Sequence, residues 1–435
     1  MLKGWWRDGA VVGILGQGGA ALAGMFSFML LARGLEAGAL GAWVLFLTGA
    51  NLLDTLRMGV VRQALVRRLA QAEESLEGER YWLGAAWGLA LLVTGPLVAA
   101  CGLTAGLHAA TGFLPKGWTL LLQMSPWLLV AGLGHSVEAW RRHGQGHFWG
   151  VHRYRLGISV LFLGGLWLME PGPAEAERAA WLLVGLHGLA SLWAWGSAPT
   201  AHRQALERMP WRGIAALWDF GRHSLLTLVG ANLLRSADQL LIGWFLGPAA
   251  VGVYSVPLKL VQVVETPVRA FSMRAYPRLS RAVTRRERDA LDRHGWRWVR
   301  ALSLGMLPCI GCGFLFPEAI LRAISGEAAP EAVPILAIFL IYSLLLPMDR
   351  FFGIALDSLD LPKANAGKVW RMLGLNLLGD VLLLAWGAPL WSVALVTLAN
   401  TLLGLVWAHR RLRRHPAFRA PACEDQRRSP RLQGA

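Results

Sequence analysis

The chain has 435 residues, 55% hydrophobic and 16% charged, with 43 Lys and Arg against 27 acids and a net charge of +16. An ordinary soluble domain is roughly 25% charged, so this composition excludes a soluble two- or three-domain enzyme and points to an all-α integral membrane protein. The basic excess follows the membrane topology described below, which sets nucleic acid aside as a partner.

A bilayer core of about 30 Å needs roughly 20 apolar residues per helix. Twelve stretches meet or approach that length: 9–32, 39–61, 81–103, 118–139, 156–169, 179–197, 222–246, 250–273, 297–322, 331–358, 367–386 and 390–408. The first is too long for the h-region of a signal peptide, roughly 7–15 residues, and reads as a span. With the N-terminus inside, 34 of the 43 Lys and Arg fall in inner pieces, and only Arg33, Lys116, Arg178 and Arg322 in outer loops. That asymmetry places both termini on the cytoplasmic side of the membrane and draws the inner face toward anionic lipid. Trp5, Trp6, Trp118, Trp211, Trp218, Trp296 and Trp407 fall near span ends, where amphipathic rings prefer to sit.

Between spans, 140–155 ("RRHGQGHFWGVHRYR") reads as a solvated loop, because Gly144 and Gly146 interrupt the His143/His147 spacing that a helical metal site needs. "GQGG" at 16–19 follows no strand and reads as close helix packing. Cys309 and Cys312 sit in an apolar run and read as packing residues, since a redox pair needs exposure. Segment 198–221 is too polar to span and reads as an amphipathic connector on the inner surface. It divides a six-span bundle (1–197) from a second (222–408), ahead of a basic cytoplasmic tail, 409–435.

The halves repeat. An offset of 211 lays "LLARGLEAGALGAWVL" (30–45) on "LIGWFLGPAAVGVYSV" (241–256), with Gly41 on Gly252 and Trp43 on Tyr254. The same register takes Asn51 to Gln262 and Asp54 to Glu265, and one inserted residue takes Arg57 to Arg269. An even number of spans per half relates the two by an axis along the membrane normal, as parallel repeats.

Asn51, Asp54 and Arg57 lie along one face of the second segment, and Lys259, Gln262, Glu265 and Arg269 along one face of the eighth. A charge at the bilayer centre costs at least ~2.5–3.5 kcal/mol, so these groups must pair with one another or face water. Intrahelical ion pairs that only hold the bundle are one reading. Repetition in both halves favours the other, a shared water-filled path. Arg235 and Asp238 form an i, i+3 pair on the seventh segment. Asp380, four residues after Asn376, is a candidate site for a coupling H+ or Na+. Asp349, Arg350 and Asp357 read as interfacial. Pro257 and Pro267 free the carbonyls of Val253 and Val263 and mark candidate hinges.

The run "AD-x-LLIG-x-x-LG-x-x-x-VG-x-Y" from 237 to 254, followed by "YPRLSR" at 276–281, resembles the polysaccharide-transporter family of lipid-linked oligosaccharide flippases, with a looser match over 30–69. That family shares a superfamily with multidrug and toxin extrusion antiporters. The resemblance implies two six-helix bundles in a V around a central cavity, alternating access, and an undecaprenyl-pyrophosphate-linked glycan repeat unit as cargo for O-antigen, capsule or exopolysaccharide. It also implies work beside the polysaccharide polymerase machinery, no enzymatic cofactor, and a phosphate role for Arg57, Arg235, Lys259 and Arg269. Asp54, Asp238 and Glu265 nearly balance those bases, a departure from a plainly cationic cavity. A multidrug antiporter of the same architecture is the alternative, and five intramembrane bases speak against it. A membrane polymerase or ligase is a third class, disfavoured by the short outer loops.

Overall fold

The computed structural model describes residues 9–71, 76–115, 117–284, 288–327, 329–359 and 361–414. Trp5, Trp6, Lys116 and the tail beyond 414 lie outside the described residues. Among those described, fifteen α-helices follow one another: α1 Gly9–Gly34, α2 Ala37–Gln71, α3 Leu76–Thr111, α4 Trp118–Ala131, α5 Leu133–Gly144, α6 Phe148–Met169, α7 Ala176–Ser197, α8 Pro199–Glu207, α9 Trp211–Phe245, α10 Pro248–Thr284, α11 Arg288–Leu315, α12 Pro317–Ser325, α13 Ala332–Ser358, α14 Pro362–Ala385 and α15 Trp391–Arg413. All twelve apolar stretches are helical, 118–139 being divided between α4 and α5 and 297–322 between α11 and α12. Among the described residues seven helices are long and apolar enough to cross a bilayer, or eight when α4 and α5, bent by 48° at Gly132, count as one broken span. The chain is a multi-pass membrane protein.

Three sequence expectations need correction. The connector lies in α8 only over Pro199–Glu207, and residues 211–221 already form the first turns of α9. Pro210 has the extended backbone that starts a helix, and Ile214 and Leu217 are buried with Val60, Leu83 and Val137, so this stretch is held by packing. The stretch 140–155 is not a loop. Helices reach Gly144 and restart at Phe148, and only a turn at 145–147, with Gly146 at φ +77°, separates them. α6 begins eight residues before the expected 156. α10 runs through Pro257 and Pro267 as one helix.

α8 is tied to the first half by polar contacts. Trp87 Nε1 donates to His202 Nδ1 at 3.2 Å, which leaves the His202 proton on Nε2, facing Glu138 Oε2 at 3.1 Å. Glu138 is fully buried and also accepts from Arg141 and Arg142.

The repeat is visible as contacts that map onto each other. A Cβ on Gly41 would stand 1.6 Å from the Pro248 carbonyl oxygen, and one on Gly252 would stand 2.3 Å from the Ala37 carbonyl oxygen. The offset of 211 exchanges these two contacts, as a two-fold axis requires. It also exchanges the bond from Thr48 to Gln239, 2.7 Å, with Lys259 lying 5.4 Å over the Phe28 ring. The symmetry is imperfect. α2 packs along most of α9, through Gly59 on Leu225, Gly221 on the Val60 carbonyl and Gly243 on Leu45. Its counterpart seam, α1 on α10, is short. Gly41→Ala should therefore lower the thermal unfolding midpoint in detergent, by about 1–3 kcal/mol of overpacking. Gly38→Ala, where a Cβ meets nothing within 4 Å, should not lower it. Equal midpoints would refute the tight crossing.

Candidate functional site

A cavity of 530 Å³ opens inside the first half, walled by α1, α2, α4 to α7 and one residue of α10, Lys259. Asn51, Asp54 and Arg57 line it from α2. Arg57 is 2% exposed. Its Nη1 donates to the Leu129 carbonyl at 2.7 Å, and its Nη2 binds Asp54 and, at 3.4 Å, Ser136 Oγ. The bend at Gly132 makes this possible, because Arg57 satisfies a carbonyl at the end of α4 where the helical ladder stops.

The second row behaves differently. Glu265 accepts from Arg269 and from Arg350 on α13, each at 2.6 Å. The partner helix is the repeat counterpart of α4 and α5, but here the neighbouring helix brings the base. Arg269 stands close enough to Arg155 on α6 for mutual repulsion, and Arg155 does the same with Arg62 on α2. Arg235, exposed on α9, lies in the field of Glu265, Arg269 and Arg350. Of the second row only Lys259 lines the cavity, so the expectation that both rows wall it equally needs correction. Gln262 and Glu265 lie outside the lining, the latter because two guanidinium groups hold it back.

Asp238 and Asp380 meet in a separate buried cluster. Asn376 Nδ2 donates to Asp238 at 2.9 Å and to Asp380 at 2.6 Å, while Tyr254 and Thr397 hydroxyls donate to Asp238 at 2.7 and 2.8 Å. Asp380 is fully buried and its Oδ1 has no partner. The expected i, i+3 pair of Arg235 with Asp238 is replaced by this network. The former interfacial group is also engaged: Lys368 binds Asp349, and Asn365 bonds both oxygens of Asp357 at 3.0 Å.

The separation settles the near balance of charge noted in the sequence. Asp238, Asp380 and Glu265 are drawn into contacts away from the cavity, where Asp54 is the one carboxylate of the lining among the described residues. The basic side of the wall is Arg57, Arg62, Arg155 and Lys259, joined by His135, His143, His152 and His187. No ion pair involves Arg62, Arg155 or Lys259 among the described residues. Sequence reasoning placed His143 and His152 in a solvated loop and passed over His135 and His187. The signal was present: His135 and His187 are ionisable residues inside apolar stretches, and such residues face a bundle interior.

Residues 178–334 match the family described as polysaccharide biosynthesis protein. Over 225 residues the chain is 22% identical to a probable low-salt glycan biosynthesis flippase, Agl15, of Haloferax volcanii, covering 52% of this chain and 47% of that protein. The chain thus spans under half the length of the curated relatives it matches. Its fold is similar to the lipid II flippase MurJ in an inward closed conformation, with a TM-score of 0.71 at 12% identity, covering 94% and 89% of the two chains. It is also similar to an inward-facing multidrug resistance MATE family transporter, with a TM-score of 0.68 at 14% identity over 90% and 94%. The resemblance drawn from the sequence is borne out, and the fold is one that MurJ and the MATE transporter share.

Removing the shared acid of the second row should cost more than removing one of its bases. Glu265→Gln strands Arg269 and Arg350, whereas Arg269→Ala leaves Glu265 bonded to Arg350. Thermal unfolding should place Glu265→Gln about 1–2 kcal/mol below Arg269→Ala, a figure reduced because both guanidinium groups are partly solvated. The reverse order would reject the network.

Proposed function

We infer that the protein is a flippase with twelve spans in two six-helix bundles. It carries an undecaprenyl-pyrophosphate-linked oligosaccharide across the bacterial inner membrane by alternating access, for polysaccharide biosynthesis. One observation carries this reading: a cavity whose unpaired bases outnumber its acids, with Lys259 of the second half reaching into the first. A pyrophosphate leaving water loses the solvation of its charge and needs charge-assisted donors to replace it. Lys259 and Arg155, with Arg269 behind them, supply those donors. The glycan relatives and the MurJ-like fold support the same reading.

A multidrug antiporter shares the fold, but its cationic cargo calls for an acidic cavity. Here the acids are turned elsewhere. The position of the acids also supports a driving-ion site. Two carboxylates bridged by Asn376 in a dry interior need a proton or a metal cation to offset their repulsion. Asp238 and Asp380 are thus assigned to the coupling ion, H+ or Na+, with Tyr254 and Thr397 fixing Asp238 in place.

In proteoliposomes loaded with a fluorescent undecaprenyl-pyrophosphate saccharide, Lys259→Gln combined with Arg155→Gln should slow translocation by about tenfold per base removed. Unchanged transport would reject the phosphate seat. With imposed sodium, proton and potential gradients, the wild-type rate should follow one ion, and Asp380→Asn should remove that dependence. A variant still driven by the same ion gradient overturns the assignment of Asp380.

A further inference from the structure

The ion pair on the far wall of the cavity differs in chemistry from the other bases there. We propose that Asp54 and Arg57, with His135 and His187, form a subsite for the sugar of the cargo and not for its phosphates, an assignment that rests on the flippase reading above. The charge of Arg57 is met by Asp54. Two of its three nitrogens are occupied by the Leu129 carbonyl and by Asp54 and Ser136. Its Nε is buried without a partner. A phosphate brought here meets no net positive charge and faces a carboxylate.

A sugar meets what it needs. His187 Nδ1 lies 2.9 Å from the Leu183 carbonyl, which can only accept, so the ring proton is on Nδ1 and Nε2 is left as an acceptor. His135 Nε2 is buried without a partner. The Asp54 side chain is 32% exposed and offers further acceptor capacity. The wall therefore presents donors and acceptors side by side with no net charge from its ion pair. A buried polar atom left unbonded costs about 1–3 kcal/mol, so this wall is incomplete until a ligand that both gives and takes hydrogen bonds fills it. Hydroxyl and N-acetyl groups of a sugar do both. A phosphate diester only accepts.

Gly132 keeps a side chain out of the space beside the ion pair. A Cβ there would lie 3.1 Å from the Leu128 carbonyl oxygen, 3.6 Å from Arg57 Nη2 and 3.8 Å from His135 Nε2. The unpaired bases Lys259, Arg62 and Arg155 stand apart from the ion pair and remain for the diphosphate.

The test compares binding of two probes to purified protein in nanodiscs: undecaprenyl pyrophosphate bearing a disaccharide, and undecaprenyl pyrophosphate alone. Wild type should prefer the sugar-bearing probe by about tenfold. His135→Phe and Gly132→Ala should each bring that ratio toward one. Lys259→Gln should weaken both probes by the same factor and keep the ratio. Gly132→Ala adds one methyl at a backbone φ of −78°, which alanine adopts freely, so it serves should His135→Phe fail to fold. Equal binding of the two probes by wild type, a ratio that survives both far-wall variants, or a ratio lost in Lys259→Gln overturns the sugar subsite and leaves the flippase reading in place. Failure of wild type to bind either probe removes the flippase reading, and the subsite with it.

Discussion

Two glycines bring the halves of this molecule together closely enough for one to furnish the other's cavity. At Gly41 and Gly252 the backbones of α2 and α10 touch without intervening side chains, the form of close contact on which helices in lipid rely, since burial from water drives little association there. The crossing sets how far α10 leans over the first half. Lys259 lies about two turns beyond Gly252 on that helix and so ends above Phe28, inside a cavity otherwise made by the first half. A wider crossing would withdraw the lysine. The polarity of the cavity is thus decided by a contact between residues that carry no charge.

The second organising fact is the sorting of charge. Bases and acids that share a low-dielectric space bind one another and leave little for a ligand. This chain carries both in its spans but distributes them to three places. Asp54 neutralises one arginine on the far wall, Glu265 is shared by two arginines behind α10, and Asp238 and Asp380 are closed in by amides and hydroxyls. What remains facing the cavity is basic. A count of charges along the sequence reveals none of this, because it depends on which side of each helix turns inward.

Much of the fold was legible because its causes are local. Apolar length gave all twelve helical stretches, and the offset of 211 laid Gly41 on Gly252, the two residues whose contacts the structure exchanges between halves. The misses came from tertiary effects. Gly144 and Gly146 were read as ending helical structure over 140–155, but only Gly146 takes a left-handed turn, and α6 resumes at Phe148. Pairing Asp238 with Arg235 followed the i, i+3 spacing. The aspartate turns instead toward α14 and α15, where Asn376 and Thr397 supply neutral donors. His135 and His187 belong to no motif, and only the packing of α5 against α7 brings their rings to 5.2 Å from each other.

α9 has a reach that its sequence hardly advertises. At its inner end Ile214 and Leu217 sit in the core of the first half, while farther along Asp238 belongs to the buried acid cluster of the second. Near that cluster Asn232 and Gln239, on either side of Asp238, grip Thr55 and Thr48 of α2, which flank the residue that pairs with Arg57. Asp238 therefore sits on a rod whose neighbouring side chain, Gln239, is fastened to α2, the helix that lines the cavity. The buried acids and the cavity are joined along a single stiff element, with no relay of intermediate loops.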